Sequence, residues 1–247
     1  MESRALLLLL LIGSMMIGGI KCTTTIFEFT NNCQYPVWVG TLSGAGTPAL
    51  NQTGFYLPEG KSVDLSTPRS WSGRFWGRTG CAADPDTEKF RCETADCATD
   101  AVACDGHGPT PPVTLVEITL GGGTSNDYYD VSLVDGFNLP ISVEPVDGTG
   151  DCKDTACSAN LNTDCPDDLK VTASNDTAVV GCKSACDAFE EPIYCCTGDY
   201  GSPSTCGPSN YSQIFKEACP SAYSYAYDDA SSVFTCVGAS YVVTFCP

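Results

Sequence analysis

A single histidine, His107, serves all 247 residues, and only 12 lysines and arginines stand against 30 aspartates and glutamates. The first shortage removes most histidine-based chemistry. A Ser-His-Asp or Cys-His nucleophile would have to use His107, which sits between turn formers in Asp105-Gly-His-Gly-Pro109 and reads as an exposed loop residue. The second shortage leaves a formal net charge of −18. Such a surface repels phosphates, so nucleic acid and anionic lipid are poor partners, while neutral polymers and cationic surfaces remain compatible. No glycine-rich loop has phosphate-cradling spacing, no internal repeat is visible, and no cofactor is expected.

The apolar stretch at the start, Ala5 to Ile12 behind Arg4, is too short and too broken by Gly18 and Gly19 to span a membrane. It reads as a secretory signal over residues 1–24, cut after Cys22, Thr23 or Thr24. An uncleaved anchor is the competing reading, but Thr23 to Phe29 already alternates as a strand does. Removing Arg4, Lys21 and Glu2 with the leader leaves 10 basic and 29 acidic residues, a net charge of −19. No apolar tail follows Tyr241 to Pro247, which argues against a lipid anchor.

What the chain has in abundance is cysteine: 17 in all. Loss of Cys22 with the leader leaves sixteen, an even number that can pair completely. Export places them where disulfides persist. Zinc is the competitor, but Cys195-Cys196 and the four-residue gap between Cys152 and Cys157 are not metal-knuckle spacings, so no metal is expected. Each bridge adds roughly 2 to 4 kcal/mol by restricting the unfolded chain. Spacing alone does not reveal the pairing.

About 223 residues remain after cleavage, enough for a large core. Thr25 to Thr30, Val37 to Thr41, Lys61 to Leu65, Gly73 to Trp76, Val113 to Leu120, Asp130 to Leu133 and Tyr241 to Phe245 read as short strands, which suggests a sandwich or flattened barrel. Two stretches break the pattern. Cys81 to Cys104 is a polar, cysteine-dense loop excursion. Cys152 to Cys219 is cysteine-dense and holds one convincing helix, Tyr211 to Ala218, with Ser209 or Asn210 as N-cap, Ile214 and Phe215 on its inner face and Pro220 as its stop.

Sequons at Asn51, Asn175 and Asn210 could carry glycans in a secreted chain. For chemistry, carboxylates remain. Glu117 falls inside the apolar strand Val113 to Leu120, and Asp130 and Asp135 flank the next one. An acid in an apolar strand is costly unless it is paired or lines a wet cleft, and Arg74 is an available partner.

Thr25-Ile-Phe-Glu-Phe-Thr-Asn-Asn-Cys33, Gly77-Arg-Thr-Gly-Cys81, Cys92-Glu-Thr-Ala-Asp-Cys97, Asp130 to Pro140, Tyr194-Cys-Cys196 and Val243-Thr-Phe-Cys-Pro247 follow in an order that resembles the thaumatin-like proteins, the fifth family of plant pathogenesis-related proteins. The likeness covers the whole chain after the leader and points to the acidic fruit and defence branch rather than to the basic sweet members. Glu88 stands where a glycine is usual, and Asp100 where Gly or Gln is usual, which puts the local turn in doubt.

The resemblance implies a mainly β fold: a flattened antiparallel β-sandwich over 25–80, 105–157 and 220–247, a stapled loop region over 81–104 and a disulfide-rich helical region over 158–219. It implies eight bridges: Cys33 with Cys246, Cys81 with Cys92, Cys97 with Cys104, Cys152 with Cys236, Cys157 with Cys219, Cys165 with Cys182, Cys186 with Cys195 and Cys196 with Cys206. The family's acidic-cleft set falls on Arg74, Glu117, Asp130, Asp135 and Asp228, with Asp229 exchangeable for Asp228 by a one-residue shift. Tyr128, Tyr129 and Phe137 lie near these acids and could stack on sugar rings or pack in the core.

By that resemblance the chain is expected to be a secreted, apoplastic, monomeric antifungal protein that binds β-1,3-glucan or another cell-wall polysaccharide. Weak endo-hydrolysis would use Glu117 as general acid and Asp135 as base or nucleophile. Binding without cleavage, inhibition of foreign hydrolases, and a purely structural salt-bridge network are the alternatives.

Overall fold

Alternation is strongest in the first strand, where Thr25, Phe27, Phe29 and Asn31 are buried and the residues between them are half-buried. That period of two sends one set of side chains into a core and the other toward the surface. The computed structural model describes residues 24–174 and 178–247. Residues 1–23 of the expected leader, Cys22 among them, and the sequon asparagine Asn175 lie outside the described residues.

In chain order the first strands are β1 (Thr24–Asn31), β2 (Val37–Ser43), β3 (Gly54–Leu57), β4 (Ser62–Pro68) and β5 (Ser72–Arg78). The stapled loop holds β6 (Ala82–Ala83) and β7 (Phe90–Arg91). After it come β8 (Leu115–Thr119), β9 (Asp127–Ser132), β10 (Ile141–Val146) and β11 (Thr155–Cys157). The cysteine-dense stretch contains β12 (Lys170–Thr172), β13 (Val179–Cys182), α1 (Ala185–Phe189), α2 (Pro192–Cys195) and α3 (Asn210–Ala218). The chain closes with α4 (Asp229–Ser232), β14 (Phe234–Cys236) and β15 (Ser240–Phe245).

Two sheets face one another, one in the order β11-β10-β15-β1-β4 and the other β14-β9-β8-β5-β2-β3. All their pairings are antiparallel except β1 with β15, which run parallel with Phe27 opposite Tyr241 and Asn31 opposite Phe245. Aromatic rings fill the space between the sheets. Phe27 lies 4.9 Å from Phe75 and 5.4 Å from Tyr241, and Trp71 lies 4.9 Å from Phe75, distances at which edge-to-face and offset contacts stabilise.

The seven expected strands are present with ends shifted by a few residues. Most of the others are only two to four residues long, too short to show a period. In β10, Pro145 weakens the strand signal, yet β11 pairs only with Ile141 to Val143, so the missing N–H disturbs nothing on that side.

Helix α3 begins at Asn210, one residue earlier than expected. Ser209 is its cap: the Ser209 hydroxyl accepts from Ser212 N, and the Ser212 hydroxyl accepts from Ser209 N in return. Phe215 is buried as expected, but Ile214 is 37% exposed, because the buried stripe runs through Ser212, Phe215 and Cys219 and leaves Ile214 beside it. Helices α1, α2 and α4 span four or five residues, below the length at which a helical period is readable.

All eight bridges pair as the family resemblance implies. Cys33 to Cys246 spans 213 residues and fastens the two parallel terminal strands where they end. The doubtful turn is resolved as well: Glu88 and Asp100 both take positive φ, 59° and 61°. Asp100 is held there by ion pairs with Lys89 and Arg91, so the usual glycine preference is offset by charge. Among the described residues no helix is long and apolar enough to cross a membrane.

A buried guanidinium helps tie the stapled loop to the sheet. Arg78 is fully buried. Its Nε donates to Trp38 O at 3.1 Å, and its Nη2 donates to Val39 O at 3.2 Å and to Val102 O, in the loop, at 2.6 Å. Burial lowers its pKa to about 10, which leaves it charged at neutral pH. Replacing Arg78 with Leu strips three carbonyls of their donor and is expected to cost about 3 kcal/mol. Urea unfolding of the variant measures this; a loss under about 1 kcal/mol would show that the clamp is dispensable.

Candidate functional site

The outer face of the second sheet is built by the same alternation that fills the core. On β5, Phe75 points inward while Arg74, Trp76 and Arg78 point outward; on β8, Val116 and Ile118 point inward and Glu117 outward; on β9, Tyr129 and Val131 point inward and Tyr128, Asp130 and Ser132 outward. Register then aligns a row across three strands. Arg74 stands opposite Glu117, and Glu117 stands opposite Asp130.

This row lines an open cavity of about 360 Å³ with Asp135, Ser132, Tyr223 and Asp229. A depression of about 200 Å³ shares Arg74, Glu117 and Asp130 and adds Tyr128, which is 50% exposed. The fourth wall is the segment around Tyr223, whose N–H donates to Val131 O while its C=O accepts from Leu133 N. That segment carries Tyr223 and Asp229 to the cleft, and the Tyr223 hydroxyl donates to Asp229 Oδ1 at 3.0 Å.

Of the expected residues, Arg74, Glu117, Asp130, Asp135 and Tyr128 come together. Asp228 does not line the cavity. Its Oδ2 accepts from Lys216 Nζ at 2.8 Å and from the N–H and hydroxyl of Ser224, so it fastens the loop before α4 to α3. The neighbouring Asp229 takes the place at the cleft wall. Phe137 is also corrected: it is fully buried in the core. The chain turns between Asp135 and Phe137 at Gly136, whose φ is +87° and where a Cβ would meet Cys182 O at 2.7 Å. Asp135 therefore stays at the cleft while Phe137 enters the interior. Tyr129 is buried too, its hydroxyl donating to Lys153 O at 2.6 Å.

Tyr223 and Ala226 of the wall lie outside every quoted motif, and Ser132 lies within Asp130 to Pro140 without being singled out there. The run Tyr223-Ser-Tyr-Ala-Tyr-Asp-Asp229 is the available signal, a cluster of amphipathic rings beside two acids. His107 is exposed beside a turn and does not line this wall, and Asn51 and Asn210 are both exposed.

Like charges crowd here. Burial is the main reason the Asp130 pKa rises to about 8, with Glu117 and then Asp229 adding to it. Asp130 Oδ1 is shielded and meets no donor among the described residues. Burial also raises Glu117; Arg74 opposes that shift and Asp135 reinforces it. Asp135 is raised by burial against the pull of Arg74. Asp187 of α1 is pushed up to about 6 by burial and by Asp135. Arg74 Nε lies 3.9 Å from Glu117 Oε1, with both side chains about 40% exposed, so solvent weakens that pair. Burial and like charge thus push Asp130, Glu117 and Asp135 toward their protonated forms, Asp130 furthest.

The family model described as "Thaumatin family" matches residues 31–247. This chain belongs to the thaumatin family. It is 56% identical over 220 residues to thaumatin-like protein 1a of Malus domestica, covering 89% of each chain. It is 53% identical over 232 residues to pathogenesis-related thaumatin-like protein 3.5 of Cryptomeria japonica, covering 94% of each. A protein of Prunus avium named glucan endo-1,3-beta-glucosidase is 51% identical over 248 residues, the full length of both. Among solved structures, a laminaripentaose-producing β-1,3-glucanase in complex with laminaritetraose superposes with a TM-score of 0.55 at 12% identity, over 91% of this chain and 99% of that one. At that identity the likeness concerns the fold alone.

Carboxyls raised on folding bind protons more tightly in the folded state than in the unfolded one. Their stabilisation is fully present below about pH 4 and is lost as pH rises toward 8. Raising pH from 4 to 8 is expected to lower stability by on the order of 2 kcal/mol, since water in the open cavity screens part of the effect. Calorimetric melting of the wild type and of Asp130→Asn over this range checks it: the variant should lose most of the slope. An identical slope in both would remove Asp130 from the explanation.

Proposed function

We propose that this member of the thaumatin family is a secreted plant defence protein whose acidic cleft binds β-1,3-glucan of cell walls and cleaves it slowly, with an antifungal effect. The observation that carries this reading is the row Arg74-Glu117-Asp130, which lines one open cavity together with Asp135. The Prunus avium relative, named for cleavage of this polymer, supports the choice of substrate. The eight bridges support an extracellular setting, for which the apoplast is the proposed site.

Hydrolysis needs one carboxyl that gives a proton and one that takes one or attacks carbon. Glu117 and Asp130 stand opposite each other, and two such acids do not both ionise readily, so the pair retains a proton near neutral pH. Shared within the pair, that proton passes through the Glu117 carboxyl to the glycosidic oxygen as the C–O bond breaks, leaving Glu117 and Asp130 both ionised. Asp135, raised by burial with Arg74 opposing that shift, either draws a proton from the attacking water or bonds to the anomeric carbon, and water then completes the addition. Tyr128, exposed beside the row, supplies a flat face for a sugar ring.

One observation favours a second reading, binding without cleavage. Arg74 opposes protonation of Glu117 and so weakens it as an acid. Reducing-end release from β-1,3-glucan by wild type and Glu117→Gln separates the two. Hydrolysis by this site predicts at least a hundredfold loss of release with co-sedimentation retained. Equal release by both proteins contradicts it, and binding with no release by either favours the second reading.

A further inference from the structure

Of the three tryptophans, Trp71 and Trp76 are fully buried, whereas Trp38 on β2 is only half-buried. It opens onto a groove of about 460 Å³ that is distinct from the acidic cleft. One wall is Tyr35 and Trp38; the others are the start of the stapled loop near Gly80 and Glu93, the turn carrying Asn160 and Asn162, and Val179 of β13. Register fixes the separation of the two sites. Trp38 pairs with Arg78 on β5 while Leu42 pairs with Arg74, so four residues, about 13 Å of strand, lie between them. The stapled loop covers the face in between, with Trp76 Nε1 donating to Ala95 O at 3.1 Å.

The chemistry of this groove differs from that of the cleft. Tyr35 is 42% exposed. The Trp38 ring packs against Tyr56 at 5.0 Å and Phe90 at 6.0 Å, both tilted to it. The polar groups are carboxamides. Asn160 is exposed, uses its Oδ1 to accept from Asn162 N, and leaves its Nδ2 to solvent. Asn162 donates Nδ2 to Asn138 O at 3.1 Å, while its Oδ1 meets no donor among the described residues. One charged side chain lines the groove, Glu93, and Ser174 donates to it at 3.2 Å.

Flat aromatic faces beside carboxamides, with no lysine or arginine in the lining, suit a ligand with apolar C–H faces and many hydroxyls. A polymer of uronates, sulfates or phosphates would find a carboxylate and no cation. A peptide strand brings backbone carbonyls in plenty but few groups that both donate and accept as hydroxyls do. We propose that this groove is a second carbohydrate site, independent of the acidic cleft, that takes a neutral hexopyranose chain.

Acrylamide quenching of tryptophan fluorescence reads Trp38, because the cleft is lined by no tryptophan and the other two are buried. Laminarihexaose and cellohexaose serve as neutral probes, hexagalacturonate as the charged control and a polyproline decamer as the peptide control. A neutral hexaose should shift the emission saturably and reduce acrylamide quenching at least twofold. Tyr35→Ala should raise the half-saturating concentration tenfold or more, and Asn160→Ala about threefold; both residues are exposed, so folding should survive. Tyr128→Ala, which strips the acidic cleft of its exposed ring, should leave the titration unchanged, which lets this site and the cleft fail separately. The inference is overturned if neither hexaose responds, if both groove variants titrate as wild type, if Tyr128→Ala abolishes the response, or if polyproline or hexagalacturonate responds in place of the neutral sugars.

Discussion

Glu117 and Asp130 face each other on adjacent strands, partly withdrawn from water, with Asp135 and Asp229 close by and Arg74 as the cation of the row. Like charges directly opposite on a sheet destabilise it, and burial adds to that cost. The arrangement persists because the strands that present it are held from their other face. Phe75, Val116, Ile118, Tyr129 and Val131 enter the core from the same three strands that carry the acids. Each strand therefore anchors its inward residues apolar side down and displays its acids on the face that water reaches.

The remaining constraints keep those three strands from spreading. The Cys33–Cys246 bridge closes the opposing sheet around its two terminal strands, and Cys152–Cys236 ties β14 at the edge of the acid-bearing sheet to the loop after β10. Arg78 fastens the stapled loop to β2, and Asp228 fastens the segment carrying Asp229 to α3 through Lys216. None of these groups lines the cleft. Their effect on it is positional.

Much of this architecture is legible in the order of residues alone. The strands β1, β8 and β15 show a period of two or an unbroken apolar run, and Glu117 interrupts the run of β8, which marks it as outward-facing. The family resemblance supplies the pairing of cysteines, which spacing does not. What stays hidden depends on turns and on short elements. Phe137 resembles a cleft residue because it neighbours Asp135 in sequence; a single glycine with positive φ between them separates cleft from core. Asp228 and Asp229 differ only in which way a four-residue helix starts, and four residues carry no readable period. The groove around Trp38 gathers residues from 35 to 180, a convergence no local motif announces.

The central claim is that the fold forces a proton onto a carboxyl row that would be fully ionised in an unfolded chain. Carbon-13 NMR titration of the aspartate and glutamate carboxyls tests it most directly. The Asp130 carboxyl should titrate near pH 8, and Glu117→Gln should move it downward by removing the opposing charge. An Asp130 carboxyl that titrates near the ordinary aspartate value of about 4, with or without Glu117, would contradict the account.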